Sequence, residues 1–291
     1  MTKKSSSRVR IYAVMGLVGC YFAFPIVFMF MSALKDRNSI LADARSIWAF
    51  LPVGDIGLEN FRYVLFETSF IYYLANSLLI SLITVGAGVI VNSMLAFSLQ
   101  RMRWRGREMV LVGVIALLII PFEAIAIPLL VLVSKLPSIG LSGGWPVLDW
   151  GWFNTHHVQI IPFIGHAFSV YLFYQFFRDI PRELDEAATV DGATPWDIYW
   201  RIVMPNAKPI ISTVAIILLM AMWNQYLWPV MVVQGEGARP VMPGIQIFFG
   251  RTVEWGQIMA YAALITLPIL ALFLLFQRQF VQSVVGSGIK G

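Results

Sequence analysis

Six stretches of the chain stay apolar for about 20 residues or more, and none shows the period-two alternation of a membrane barrel strand. They lie near 11–34, 71–99, 109–133, 158–177, 210–233 and 257–276. At about 1.5 Å of rise per residue, each is long enough to cross a bilayer as a helix. Hydrocarbon offers the backbone no partners, so an unpaired strand or loop cannot take such a place. The pattern predicts an all-α polytopic membrane protein with six transmembrane helices in one domain over 1–291.

Composition agrees. The 291 residues are 58% hydrophobic and 13% charged, against roughly 45–50% and about 25% in soluble domains. Mean hydropathy is +0.74. Lys3, Lys4, Arg8 and Arg10 precede the first run as in a signal peptide. That run is far longer than a signal's apolar core, however, and no A-x-A cleavage site follows. It reads as an uncleaved first span.

With the N-terminus inside, 14 of the 21 Lys and Arg fall on the cytoplasmic side and seven on the other. The densest cluster is Arg101–Arg107, in the tight turn between spans two and three. This positive-inside bias puts both termini in the cytoplasm of a multi-pass protein of the cytoplasmic (inner) membrane. It also accounts for the basic pI of about 9.4 without any nucleic acid.

Chemistry is sparse. There is no G-x-x-x-x-G-K-[ST], H-E-x-x-H or C-x-x-C. Cys20 stands alone, and His156, His157 and His166 have no carboxylates at ligand spacing. The chain is therefore expected to be no enzyme and to hold no metal or cofactor. His166, within span four, suits a hydrogen-bonded packing role.

One inside stretch, 178–208, is too long and too patterned for a plain connection. Pro181 and Glu183 open a helix whose acidic first turn suits its dipole. Ala187 and Ala188 remove bulk where another backbone could approach. Asp191-Gly192 marks a turn needing positive φ. Thr194, Pro195 and Asp197 start a second helix, with Trp196, Tyr199 and Ile202 on one apolar stripe, stopping before Pro205. The stretch is acidic, whereas helices lying on anionic leaflets are usually basic, so a protein partner fits better.

Glu186–Pro205 resembles the EAA loop of bacterial ABC importer permeases at Glu186, Ala187, Ala188, Gly192, Ile202 and Pro205; Met204 stands where leucine is usual. Asn76-Ser77, Ala96–Arg101, Ile119–Leu130, Trp223–Pro229 and the tail Gln277–Gly291 extend the likeness to MalG-like subunits of carbohydrate uptake transporters. The resemblance implies a type I importer permease fold that moves a sugar or polyol by alternating access. It implies a MalF-like second permease, an ABC ATPase dimer carrying ATP and magnesium, and a periplasmic or lipid-anchored solute-binding protein. Glu186, Ala187, Ala188, Gly192, Pro195, Trp196, Ile202 and Pro205 would then couple to the ATPase. The loop with Gly235, Gly237, Arg239 and Pro240 would protrude into the binding protein, or else be a plain connection. The glycine-rich tail would be a flexible strand reaching the ATPase, or a free terminus.

Two polar sets inside the spans have two readings each. Glu123, between Pro121 and Pro128 in a span those prolines should kink, is either a pathway group or an interface group. Trp223, Asn224, Gln225, Tyr226 and Trp228 combine rings and amides as a sugar path would, but Trp and Tyr also mark membrane interfaces. A glycerol-phosphate importer permease is the alternative of the same kind, disfavoured because no Lys or Arg lies within a span. An ion-driven secondary transporter is the alternative of another kind, and would be expected to show internal repeats and paired intramembrane charges.

Overall fold

The computed structural model describes residues 3–43, 45–142, 145–250 and 253–288. Among the described residues four helices are long and apolar enough to span a membrane, and up to six spans result if each of two sharply bent helix pairs counts as one. The chain packs as two compact units, one of residues 1–72 with 244–271 and the other of 73–243 with 272–291.

In the first unit, α1 (Lys3–Ala33) leaves apolar side chains such as Tyr12, Leu17 and Tyr21 bare, as a lipid-facing helix should. Its end is tied by a polar knot. Asn60 Nδ2 donates to the carbonyls of Ala33 (3.0 Å) and Lys35 (2.9 Å), two of the acceptors a helix end leaves open. Lys35 is buried and donates to Asp43 and to the Trp48 carbonyl, each at 2.6 Å. Gly256 presses on this knot so closely that a Cβ there would lie 2.5 Å from Asn60 Nδ2 and 2.8 Å from the Lys35 carbonyl.

The second unit is built around α2 (Phe70–Arg101), which enters it at Tyr73. A stripe of small and polar residues, Ser77, Ser81, Thr84, Gly88 and Asn92, recurs at helical spacing along one face. All but the glycine are 5% exposed or less. Small residues let neighbouring backbones approach, and polar ones bond across helices. A Cβ on Gly88 would sit 2.9 Å from Leu218 Cδ1.

Three spans are interrupted, and span three breaks at a proline expected to kink it. Span three is two helices, α3 (Arg107–Leu117) and α4 (Phe122–Val133), bent by 109°. Pro121 causes the break, because it has no N–H and sits in extended conformation at the α4 N-cap. Next comes an antiparallel hairpin that periodicity missed, β1 (Pro137–Ser142) with β2 (Trp145–Trp150), Pro137 opposite Trp150. Span four is α5 (His157–Ile164) and α6 (Ala167–Asp179). Asn92 of α2 bridges their gap, donating to the Ile164 carbonyl (2.9 Å) and accepting from the His166 amide (2.9 Å). His166 caps α6, its Nδ1 accepting from the Ser169 amide, so its side chain bonds within its own segment and not between helices as expected. Span five does not run to 233. Its helix ends at Trp223, and a separate short helix covers Leu227–Val232.

The last helix, Trp255–Gly288, continues well past the expected end of span six near 276. The tail read as a flexible strand is therefore helical up to Gly288, and residues 289–291 lie outside the described ones.

Candidate functional site

The coupling segment folds nearly as its sequence prescribes. Here α7 is Glu183–Val190, α8 is Pro195–Asn206 and α9 is Lys208–Trp223, with 81° between α8 and α9. Gly192 has φ +84° and open space where a Cβ would be, so its backbone alone requires glycine. The Ala193 amide bonds back to the Ala188 carbonyl at 2.9 Å, closing α7. Thr194 and Asp197 form a reciprocal capping box. The hydrogen bonds from Thr194 hold the Asp197 carboxyl below the usual carboxylate range.

Two expectations fail here. The second helix does not stop before Pro205. A π-type turn at Ile198–Val203 shifts the bonding pattern just ahead of that proline, and Asn206 Nδ2 returns to the Ile202 carbonyl at 2.7 Å. Nor is the apolar stripe uniformly exposed. Tyr199 is buried, its hydroxyl 2.8 Å from Ser93 Oγ and its ring against Phe97. The apolar groups facing out are Trp196, Trp200 and Val190, at 56%, 41% and 89% exposure. Glu186, Ala187 and Pro205 are also exposed, while Ala188 and Ile202 pack against the core.

The segment is bolted to α2 by a residue the sequence reading left in a basic cluster. Arg101, 4% exposed, meets Asp185 at 2.8 Å and donates to the carbonyls of Phe177 (2.6 Å) and Ile180 (2.7 Å). One guanidinium thus joins the ends of α2 and α6 to α7. Its signal was the spacing of an Arg at the end of one span and an acidic helix after another, which no local pattern connects.

At the start of α2, about 25 residues away and so roughly 38 Å along the helix, the segment 234–241 is stitched down instead. Asn76 Nδ2 donates to the carbonyls of Gly237 (3.3 Å) and Arg239 (3.0 Å), while its Oδ1 lies 2.9 Å from His156 Nε2. Burial lowers the His156 pKa and so favours the neutral ring. Gln159 donates to Ala238, and Ser77 accepts from the Val241 amide. Asn154, at φ +60°, accepts from the amides of Gln234 and Gly235. Arg239 reaches back to the Gln234 carbonyl and lies over Tyr73. Pro240 is buried and Arg239 half-buried, while Gln234–Gly237, including Gly235 and Gly237, is exposed.

The helix breaks adjoin. Phe122 and Phe163 pack their rings on Trp228, whose indole donates to the Val158 carbonyl at 2.9 Å. Trp228 and Trp223 are buried. Asn224 donates to the Met220 carbonyl and caps α9, yet stays exposed beside half-buried Gln225 and exposed Tyr226. Glu123, next to Phe122, is the second residue of α4 and exposed. No group of three or more His, Cys, Asp or Glu suited to a metal occurs among the described residues.

Broken apolar helices packed on a polar-striped helix, with a braced helical segment at its end, are the architecture of a polytopic membrane protein. Residues 84–286 match the family of binding-protein-dependent transport system inner membrane components, and the chain belongs to it. It is 27% identical over 277 residues to the lactose transport system permease protein LacG of Rhizobium radiobacter, covering 95% of this chain and 94% of that one. It is 26% identical over 290 residues to the trehalose/maltose transport system permease protein MalG of Thermococcus litoralis, covering 97% of each. The fold matches a bacterial ABC transporter that imports the acidic polysaccharide alginate, with a TM-score of 0.78, 18% identity, and coverage of 96% and 98%.

Proposed function

We propose that this chain is a permease subunit of an ATP-driven importer for a neutral sugar or polyol, working beside a second permease, an ATPase dimer and a solute-binding protein. The likeness to LacG and MalG over nearly the whole chain supports the cargo class. The brace at Arg101 supports the coupling role, because a segment that receives force must be rigidly joined to what it moves. Closure of the ATPase dimer pulls α7 and α8, and Arg101, Asp185 and the Ser93–Tyr199 bond carry that movement into α2 and α6. Trp196, Trp200 and Val190 are the apolar face offered to the ATPase, with Glu186 at its edge. The cytoplasmic placement of this segment and of both termini follows from the Lys and Arg bias.

The cargo passes the adjoining breaks, where Glu123, Asn224, Gln225 and Tyr226 offer hydrogen-bonding groups and a ring. Half-helix N-termini in transporters commonly face anionic substrate groups. Here Glu123 already occupies that positive end, which favours a neutral cargo over a phosphate ester. The test is uptake into proteoliposomes holding the assembled transporter, with labelled sugars and glycerol phosphate, with and without ATP and binding protein. Sugar uptake that needs both is expected, and Glu123→Gln should lower it several-fold without loss of assembly. Uptake by this chain alone on an ion gradient would overturn the reading.

A further inference from the structure

The turn between α2 and α3 contains a cavity of about 480 Å³ that the coupling role does not use. Arg103 and Arg107 of the turn line it together with Arg182 from the start of the coupling segment, beside Trp104, Met109 and a single carboxylate, Glu108. Arg107 spends one N–H on the Met102 carbonyl and Arg182 one on the Gln100 carbonyl, which directs both side chains and leaves their other donors open. Among the described residues no ion pair neutralises any of the three.

Depth decides what such a cavity meets. Apolar helices end at Arg101 and begin again at Arg107, so the turn lies at headgroup level. Met102, Trp104 and Met109 are 40%, 39% and 78% exposed beside the guanidiniums. Cations next to bare apolar side chains match an amphiphile with a phosphate and acyl chains, whereas a soluble anion would use the cations alone. Basic pockets between membrane helices hold anionic headgroups by this combination. We propose that this cavity binds the phosphate of an anionic phospholipid, held by Arg103, Arg107 and Arg182. A lipid seated there bridges the α2–α3 turn to the coupling segment and supplements the Arg101–Asp185 brace.

The test uses the full-length chain, purified in detergent and incubated with phosphatidylglycerol or phosphatidylcholine, with retained lipid counted by native mass spectrometry. Selective retention of phosphatidylglycerol is expected, falling about fivefold for each guanidinium removed in R103Q, R107Q and R182Q. Arg105 carries the same charge in the same turn but does not line the cavity, so R105Q should retain lipid like the parent. R103K/R107K/R182K keeps the charge and should retain most of the lipid, which separates lost binding from lost folding. Equal retention by the glutamine variants, an equal loss in R105Q, or full displacement by millimolar inorganic phosphate would each overturn the proposal.

Discussion

The two ends of α2 hold down two polar segments in opposite ways. At Arg101 a buried guanidinium grips a carboxylate and two helix-end carbonyls, and the segment it holds is helical and presents bare tryptophans. At Asn76 neutral amides grip the carbonyls of an irregular loop, whose exposed part is Gln234–Gly237. An ionic clamp on capped helices joins them rigidly to α2. Amide stitching holds a loop by bonds that are individually weaker and separately replaceable. The first arrangement suits the proposed transmission of displacement, the second the keeping of a shape.

Removing the clamp should have the largest effect. Arg101→Ala strands Asp185 and two carbonyls, at an expected cost of about 3–5 kcal/mol. Thermal unfolding of the purified chain should show it, together with new protease cuts in 178–208 and none in 234–241. If 234–241 loosened equally, the two ends would not be independent. Asn76→Ala is next, at about 1–3 kcal/mol for the carbonyls it leaves unpaired. It should open the Gln234–Pro240 region to protease and weaken the response to binding protein, while ATPase attachment remains normal.

Gly192→Val should cost about 1–3 kcal/mol of local backbone strain. No neighbour crowds the position, so both helices should stay folded, with α8 leaving the turn in the wrong direction. Expected readouts are normal membrane insertion, weaker retention of the ATPase and less transport per ATP hydrolysed. Three wild-type values would remove this segment from the mechanism. The smallest effect belongs to Thr194→Ala, about 1 kcal/mol from the lost cap. Asp197 has its pKa lowered in the fold. Its contribution is therefore complete above the ordinary carboxylate value and lost as pH falls through the lower folded one. Parent and variant should converge in stability at acid pH, and a constant gap would sink that account.

Much of the coupling segment was readable because its signals are local. Thr194, Pro195 and Asp197 act on atoms within one turn, and Gly192 acts on its own φ. The broken spans were only half readable. Pro121 announced a kink, but 109° of bend and the stop at Trp223 depend on which neighbours take up the freed backbone groups. The hairpin at 137–150 escaped the pattern because its six-residue strands contain glycine and proline and leave no run of alternation, although Gly143-Gly144 is a turn signal in the sequence.

By itself the sequence determined the lipid-spanning helices, through runs long enough to satisfy their own backbones in hydrocarbon, and the capped coupling helices, through neighbours a few residues apart. Only the tertiary structure decided that Tyr199, Trp228 and Pro240 are buried, and that Asn76, Asn92 and Arg101 are the anchors. Those bonds reach partners 70 to 163 residues away, which side-chain chemistry permits but cannot choose. The choice is made where the polar stripe of α2 meets carbonyls that proline breaks, helix ends and a folded-back loop leave without partners.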